Sequence, residues 1–254
     1  MKRRKFIGAA AAASAIPLTG MAHNSANFNP ALEKELYEIR TYEIKFRADQ
    51  QLLFDYLENA LKKSLQKLGV DHLMILQEYG VSDPKRIRVF INYPNADSFM
   101  KAHTLNSDSE YVKMAAEYNA LSVDKALYER FESSLLLAFD GMPKMRGPID
   151  GASLFELRTY EGYSEDAVRR KIKMFNNGEI DIFLKTGLHP IFFGEMIIGP
   201  YRPCLTYMLN FKDMQERDAN WAKFVSHPEW KAISGLDEYA NTVSKIRRIF
   251  LKPL

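Results

Sequence analysis

Cysteine is almost missing from this chain: Cys204 stands alone, which excludes an internal disulfide and a Cys/His zinc cluster. Histidine is scarce as well, and its five residues include no pair at the i, i+4 spacing of a helical metal site. There is no nucleophile elbow, dinucleotide fingerprint or kinase signature. Ile197-Ile198-Gly199-Pro200 has neither the glycine spacing nor the lysine of a phosphate loop. Long apolar runs are lacking too. The longest, over residues 6–18, falls short of the ~20 residues a membrane-spanning helix needs. Charge of one sign is equally short, because the formal net +3 comes from Lys2, Arg3, Arg4 and Lys5. Without them 31 basic residues face 32 acidic ones, so no electrostatic footprint for nucleic acid remains.

What is present begins with that basic cluster. Lys2-Arg3-Arg4-Lys5, the Ala-rich stretch behind it and the small residues of Gly20-Met21-Ala22 have the layout of a cleavable export signal over residues 1–22. The adjacent arginines followed by Lys5-Phe6-Ile7 fit the twin-arginine type, which predicts export in the folded state to the periplasm with no membrane anchor left after cleavage. Residues 23–34 show no apolar periodicity and read as a tether.

The rest is a duplication. Tyr37-Glu38-Ile39-Arg40-Thr41-Tyr42-Glu43 is echoed 118 positions later by Phe155-Glu156-Leu157-Arg158-Thr159-Tyr160-Glu161, and the offset holds without a gap to Tyr93 and Phe211. In copy one, residues 36–44 alternate as a strand. Residues 48–68 carry Leu53, Leu57, Leu61 and Leu65 at helical spacing, and Gly69 supplies a C-cap. Strands are predicted at 72–81 and 87–93, helices from 95 to 125, and a closing strand at 131–139. Copy two repeats the order: strand 154–162, helix 165–186, strands 190–198 and 204–211, helices 213–225 and 227–242, strand 246–252. Ser107 with Glu110, and Ser226 with Glu229, have the spacing of capping boxes.

Strand, helix, strand, strand, helix, strand is the ferredoxin-like unit, and its bare sheet face needs a cover. The predicted fold is therefore α+β: two tandem ferredoxin-like domains, 35–140 and 153–254, joined by a Pro/Gly-containing linker at 141–152 and packed sheet to sheet within one chain.

Alternation places Glu38, Arg40 and Tyr42 on one strand face, and Glu156, Arg158 and Tyr160 on the equivalent face. The more apolar faces are expected to meet the helices, so these rows are expected to point into the space between the sheets. There the arginines could clamp a small acid, enol or phenol, with a glutamate or tyrosine moving a proton. The same rows could instead be ion pairs that fix packing. No metal site is predicted. Haem stays open through a lone axial histidine, of which His189, at a strand entrance, is the best placed. Aromatic residues at helical spacing, Trp221, Phe224 and Trp230 among them, read as core.

Glu156-Leu157-Arg158-Thr159-Tyr160, His227-Pro228-Glu229-Trp230 and the closing Ile249-Phe250-Leu251-Lys252-Pro253-Leu254 resemble the NIPSNAP domain. Copy one resembles it more weakly, since Ser107-Asp108-Ser109-Glu110-Tyr111 lacks the His-Pro pair and the tryptophan. The resemblance implies a dimeric α+β barrel with an enclosed cavity. Its relatives of that fold include small monooxygenases, haem-degrading enzymes, isomerases and dehydratases. It further implies a small-molecule ligand in the cavity or, alternatively, a non-enzymatic interaction module with a protein partner or a homo-oligomeric state. The second copy is expected to hold any chemistry.

Overall fold

Period-two alternation forms the first strand, β1 (Leu36–Ile44). The computed structural model describes residues 33–254; the predicted signal segment and nearly all of the tether lie outside the described residues. Helix α1 (Gln50–Tyr56) follows, with Asp49 as N-cap accepting from the N–H groups of Gln51 and Leu52. It continues through a π-helical stretch (Leu57–Lys62) into α2 (Lys63–Gln66), burying Leu53, Leu57, Leu61 and Leu65. Gly69 stops the helix at φ +84, and the Val70 N–H reaches back to the Leu65 carbonyl at 3.2 Å, closing a Schellman turn. The first half then gives β2 (Leu73–Glu78), β3 (Arg86–Tyr93), three short helices, α3 (Ala96–Ala102), α4 (Ser109–Met114) and α5 (Ala116–Asn119), and β4 (Tyr128–Ala138).

The second half opens with β5 (Leu154–Glu161) and α6 (Glu165–Met174), followed by a π-helical stretch (Phe175–Glu179) that starts 118 residues after the first one. Then come α7 (Ile180–Thr186), β6 (His189–Ile198), β7 (Cys204–Phe211), α8 (Met214–Ser226), α9 (Pro228–Ser234) and β8 (Lys245–Pro253). Gly187, at φ +78, closes α7 with the same turn as Gly69. The π-helical stretches have no counterpart in the sequence prediction, because a one-residue widening barely disturbs helical periodicity.

The eight strands close into an antiparallel barrel in the order β1-β3-β2-β8-β5-β7-β6-β4. The fold is α+β, as predicted. Two seams join the halves, and both are short. β2 meets β8 over Leu76–Glu78, and β4 meets β6 over Leu135–Ala138. An apolar core drawn from both halves fills the barrel, with Tyr37, Ile39, Phe90 and Leu136 against Phe155, Leu157, Phe192 and Met208. Two further cores lie between the strands and the helices of each half.

Neither predicted capping box forms. Asp108 caps α4, accepting from Glu110 N–H, and Ser107 lies in a preceding 3-10 turn. The Ser226 hydroxyl donates back to the Ala222 and Lys223 carbonyls of its own helix, so it is not available to α9. The residues between the halves are pinned rather than loose. Buried Glu35 accepts from Met145 N–H at 2.6 Å and from Asn92 Nδ2 at 2.8 Å. Asn210 Oδ1 accepts from Ile149 N–H at 2.8 Å, and the Met145 side chain joins the barrel core.

Candidate functional site at the barrel mouth

The faces of β1 and β5 are the reverse of the sequence expectation. Ile39 and Leu157 point into the barrel, whereas Tyr42 packs with Leu53, Leu57 and Leu61, and Tyr160 packs with Val168, Phe175 and Phe183. The Glu/Arg/Tyr rows therefore lie beneath the helices. Enclosure does not decide it, since Glu38 and Glu156 are at least as buried as Ile39 and Leu157; the barrel interior is packed with apolar side chains from both halves, so the aliphatic row goes there. The charged row takes the side where long side chains can find partners.

Both glutamates are fully partnered, whereas Arg158 Nε, in the second half, is buried with no hydrogen-bond partner. Glu38 accepts four hydrogen bonds, from Arg40 Nε (2.8 Å) and Nη2 (3.0 Å), Tyr93 Oη (2.9 Å) and Ser133 Oγ (2.5 Å). Glu156, with no exposed surface, also accepts four, from Arg158 Nη1 (2.7 Å), Arg217 Nε (2.9 Å) and Nη2 (3.0 Å), and Trp221 Nε1 (2.9 Å). Burial pushes both carboxyls up. For Glu38 the charge and hydrogen bonds of Arg40, with Ser133 and Tyr93, outweigh burial; for Glu156 the bonds from Arg217 and the charge of Arg158 do. Both are held below the usual carboxylate range, and such saturated carboxylates are poor proton carriers. Tyr42 and Tyr160 phenols are pushed up by burial.

A second buried ion pair lies deeper in the second half: Lys171 Nζ donates to Glu179 Oε2 at 2.6 Å, over the ring of Phe175. Burial raises the Glu179 carboxyl despite that partner. Beside it the Tyr160 and Tyr207 hydroxyls meet at 2.8 Å.

A cavity that could hold a ligand lies at one end of the barrel, where β1 and β5 terminate. It has a volume of about 440 Å3 and is lined from both halves. Its first wall is polar: Thr41, Glu43, Glu78, Arg86, Arg88, Glu132 and Ser134. Its second is apolar and hydroxylic, with Leu157, Thr159, Met196, Tyr201, Thr206 and Ile249. Arg88, nearly buried, pairs with Glu78 at 2.7 Å, and Arg86 pairs with Glu43 at 3.1 Å. Burial pushes the Glu78 carboxyl up, but hydrogen bonds from Arg88 and Ser82 hold it low. The Thr159 and Thr206 hydroxyls meet at 2.9 Å. Tyr201 takes a left-handed conformation, φ +66, with the Arg247 guanidinium 3.7 Å from its ring centre, and Arg247 pairs in turn with Glu161.

None of Glu38, Arg40, Tyr42, Glu156, Arg158 or Tyr160 lines this cavity, and neither does His189, which opens β6 opposite Asn210 at the other end of the barrel. Among the described residues no three His, Cys, Asp or Glu side chains come together as a metal set. The sequence does carry a signal for the charged wall. In Arg86-Ile87-Arg88-Val89 two arginines share one face of an otherwise apolar strand, an arrangement that a buried face tolerates only with partners.

Comparison with known structures supports the barrel. A candidate monooxygenase from Fusobacterium nucleatum superposes with a TM-score of 0.56 at 11% identity, covering 87% of this chain and 93% of its own. Another, from Lactobacillus acidophilus, gives 0.56 at 13% identity, covering 86% and 93%. An uncharacterised NIPSNAP-like domain protein from Burkholderia xenovorans is 20% identical over 40% of this chain and 84% of its own, with a TM-score of 0.36. No curated protein sequence matches the chain. Residues 155–254, nearly the whole second half, match the NIPSNAP family profile.

Proposed function

We propose that the chain is an exported protein, built of tandem ferredoxin-like domains, that takes a small, uncharged, amphipathic molecule into the cavity at the barrel mouth. The observation that carries this reading is the cavity itself, about 440 Å3 and within the ordinary range for small-molecule sites. Its apolar surface, Ile39, Leu157, Met196 and Ile249, suits a hydrocarbon or aromatic body. Its two deepest charges, Arg88 and Glu78, cancel each other, as do Arg86 and Glu43, which leaves only the exposed Glu132 carboxylate uncancelled; the lining therefore disfavours an anion and suits a neutral head group. The hydroxyls of Thr41, Ser134, Thr159 and Thr206 are placed to hydrogen-bond a ketone, phenol or alcohol. The fold shared with two candidate monooxygenases makes oxygenation of such a molecule the reaction to assay first.

Native mass spectrometry of protein purified from its own periplasm tests the reading, with Thr206→Phe, which fills the cavity, as the control. The expected result is a bound small molecule in the wild type and none in the variant. Equal retention by both, or neither retention nor a thermal shift with a panel of neutral phenols and ketones, overturns it.

A further inference from the structure

Both seams of the barrel come apart toward the mouth. β4 pairs with β1 from Tyr128 onward but meets β6 only from Leu135. Residues 128–134 therefore have, among the described residues, no strand on their other side. β8 repeats the pattern. It pairs with β5 from Lys245 but meets β2 only from Leu251, with one more bond from Tyr79 N–H to the Phe250 carbonyl at 2.8 Å. Residues 245–249 are the second free edge. An exposed edge is a template for another strand, and Phe131 and Ile246, 47% and 49% exposed, leave apolar surface beside these two.

The two edges differ in charge. The β4 edge carries Glu129, Arg130 and Glu132, a net charge of −1, and the β8 edge carries Lys245, Arg247 and Arg248, of which Arg247 is paired with Glu161; Glu129, Glu132, Lys245 and Arg248 have no ion-pair partner among the described residues. β4 and β8 hold corresponding places in the two halves of the closed strand order, so the edges lie on opposite sides of the mouth.

We propose that two copies of this chain associate mouth to mouth, the free β4 edge of each pairing with the free β8 edge of the other. Both strands run from the mouth inward, so two facing barrels present them antiparallel, and a two-fold axis across the mouth makes both contacts at once. That is a closed, isologous interface. Like edges repel and unlike edges attract, which selects β4 against β8. The association covers the mouth of each cavity but does not depend on a ligand.

Sedimentation velocity of the ligand-free chain is the test. A dimer is expected that weakens between about 50 mM and about 500 mM salt. Glu129→Lys/Glu132→Lys and Lys245→Glu/Arg248→Glu are each expected to weaken it about tenfold or more, because each sets like charges against each other twice. An equimolar mixture of the two variants restores both contacts and is expected to dimerise like the wild type. Independently of any substitution, hydrogen exchange at 128–134 and 245–249 is expected to slow as concentration rises. A wild type that stays monomeric, folded variants that dimerise as well as wild type, a mixture that does not recover, or exchange that ignores concentration each overturns the proposal. The cavity reading would survive any of them.

Discussion

Beneath their helices the two halves solve one packing problem in two ways. In the first, Leu53 and Leu61 are buried against the sheet; 118 positions on, Lys171 and Glu179 occupy the same places and form a buried ion pair. Val89 is matched by Tyr207, and His103, eight residues past its N-cap as Trp221 is past its own, is matched by Trp221. The strands, the π-helical stretch and the glycine closure are alike in both. The first half is thus an internal control. It shows that this backbone needs no buried charge at those sites, so the polar interior of the second half reflects a history or a task other than folding.

The comparison breaks most sharply if one member of the pair is removed. Glu179→Leu leaves the Lys171 ammonium buried without its counter-ion and is expected to cost about 3–5 kcal/mol, read from urea unfolding. The double variant Lys171→Leu/Glu179→Leu copies the first half and is expected to be neutral to about 4 kcal/mol more stable. If it unfolds the protein instead, the halves are not interchangeable controls. Next in size, Trp221→His installs the residue of the first half, loses one hydrogen bond to Glu156 and the stack under Arg158, and is expected to cost about 1.5–3 kcal/mol in the same measurement.

The smallest effect is in pH dependence. Glu38 and Glu156 have depressed folded values, so their contribution is present above the unfolded carboxylate value and is lost as pH falls through the folded one. Glu179 is raised, so its contribution shrinks as pH rises through the interval between its unfolded and folded values. Unfolding midpoints from about pH 6 to about pH 3 are expected to fall less steeply in Glu38→Gln and Glu156→Gln than in the wild type. In Glu179→Gln the acid limb is expected to steepen, because an opposing term is removed.

Much of the architecture was legible because it is local and repeated. The 118-residue echo places both sets of strands, and Gly69 and Gly187 mark two helix ends by a conformation that suits glycine best. The site was less legible. Alternation says that Glu156 and Leu157 face opposite ways, but which way is inward depends on whether the sheet stays open or closes on itself. Closure is a long-range property. Arg217, the donor that completes Glu156, is 61 residues away on α8, and no spacing rule connects them. The cavity wall has the same difficulty, since Arg88 and Thr206 meet around one space only after the two halves have docked.

The pinned segment between the halves has a topological consequence. Met145, held through Glu35 and sunk into the barrel core, stoppers the end opposite the cavity, so the barrel is a cup and not a pipe. A molecule taken up at the mouth must leave by the same opening. Uptake and discharge then exclude one another in time, and whatever covers the rim sets the rate of both.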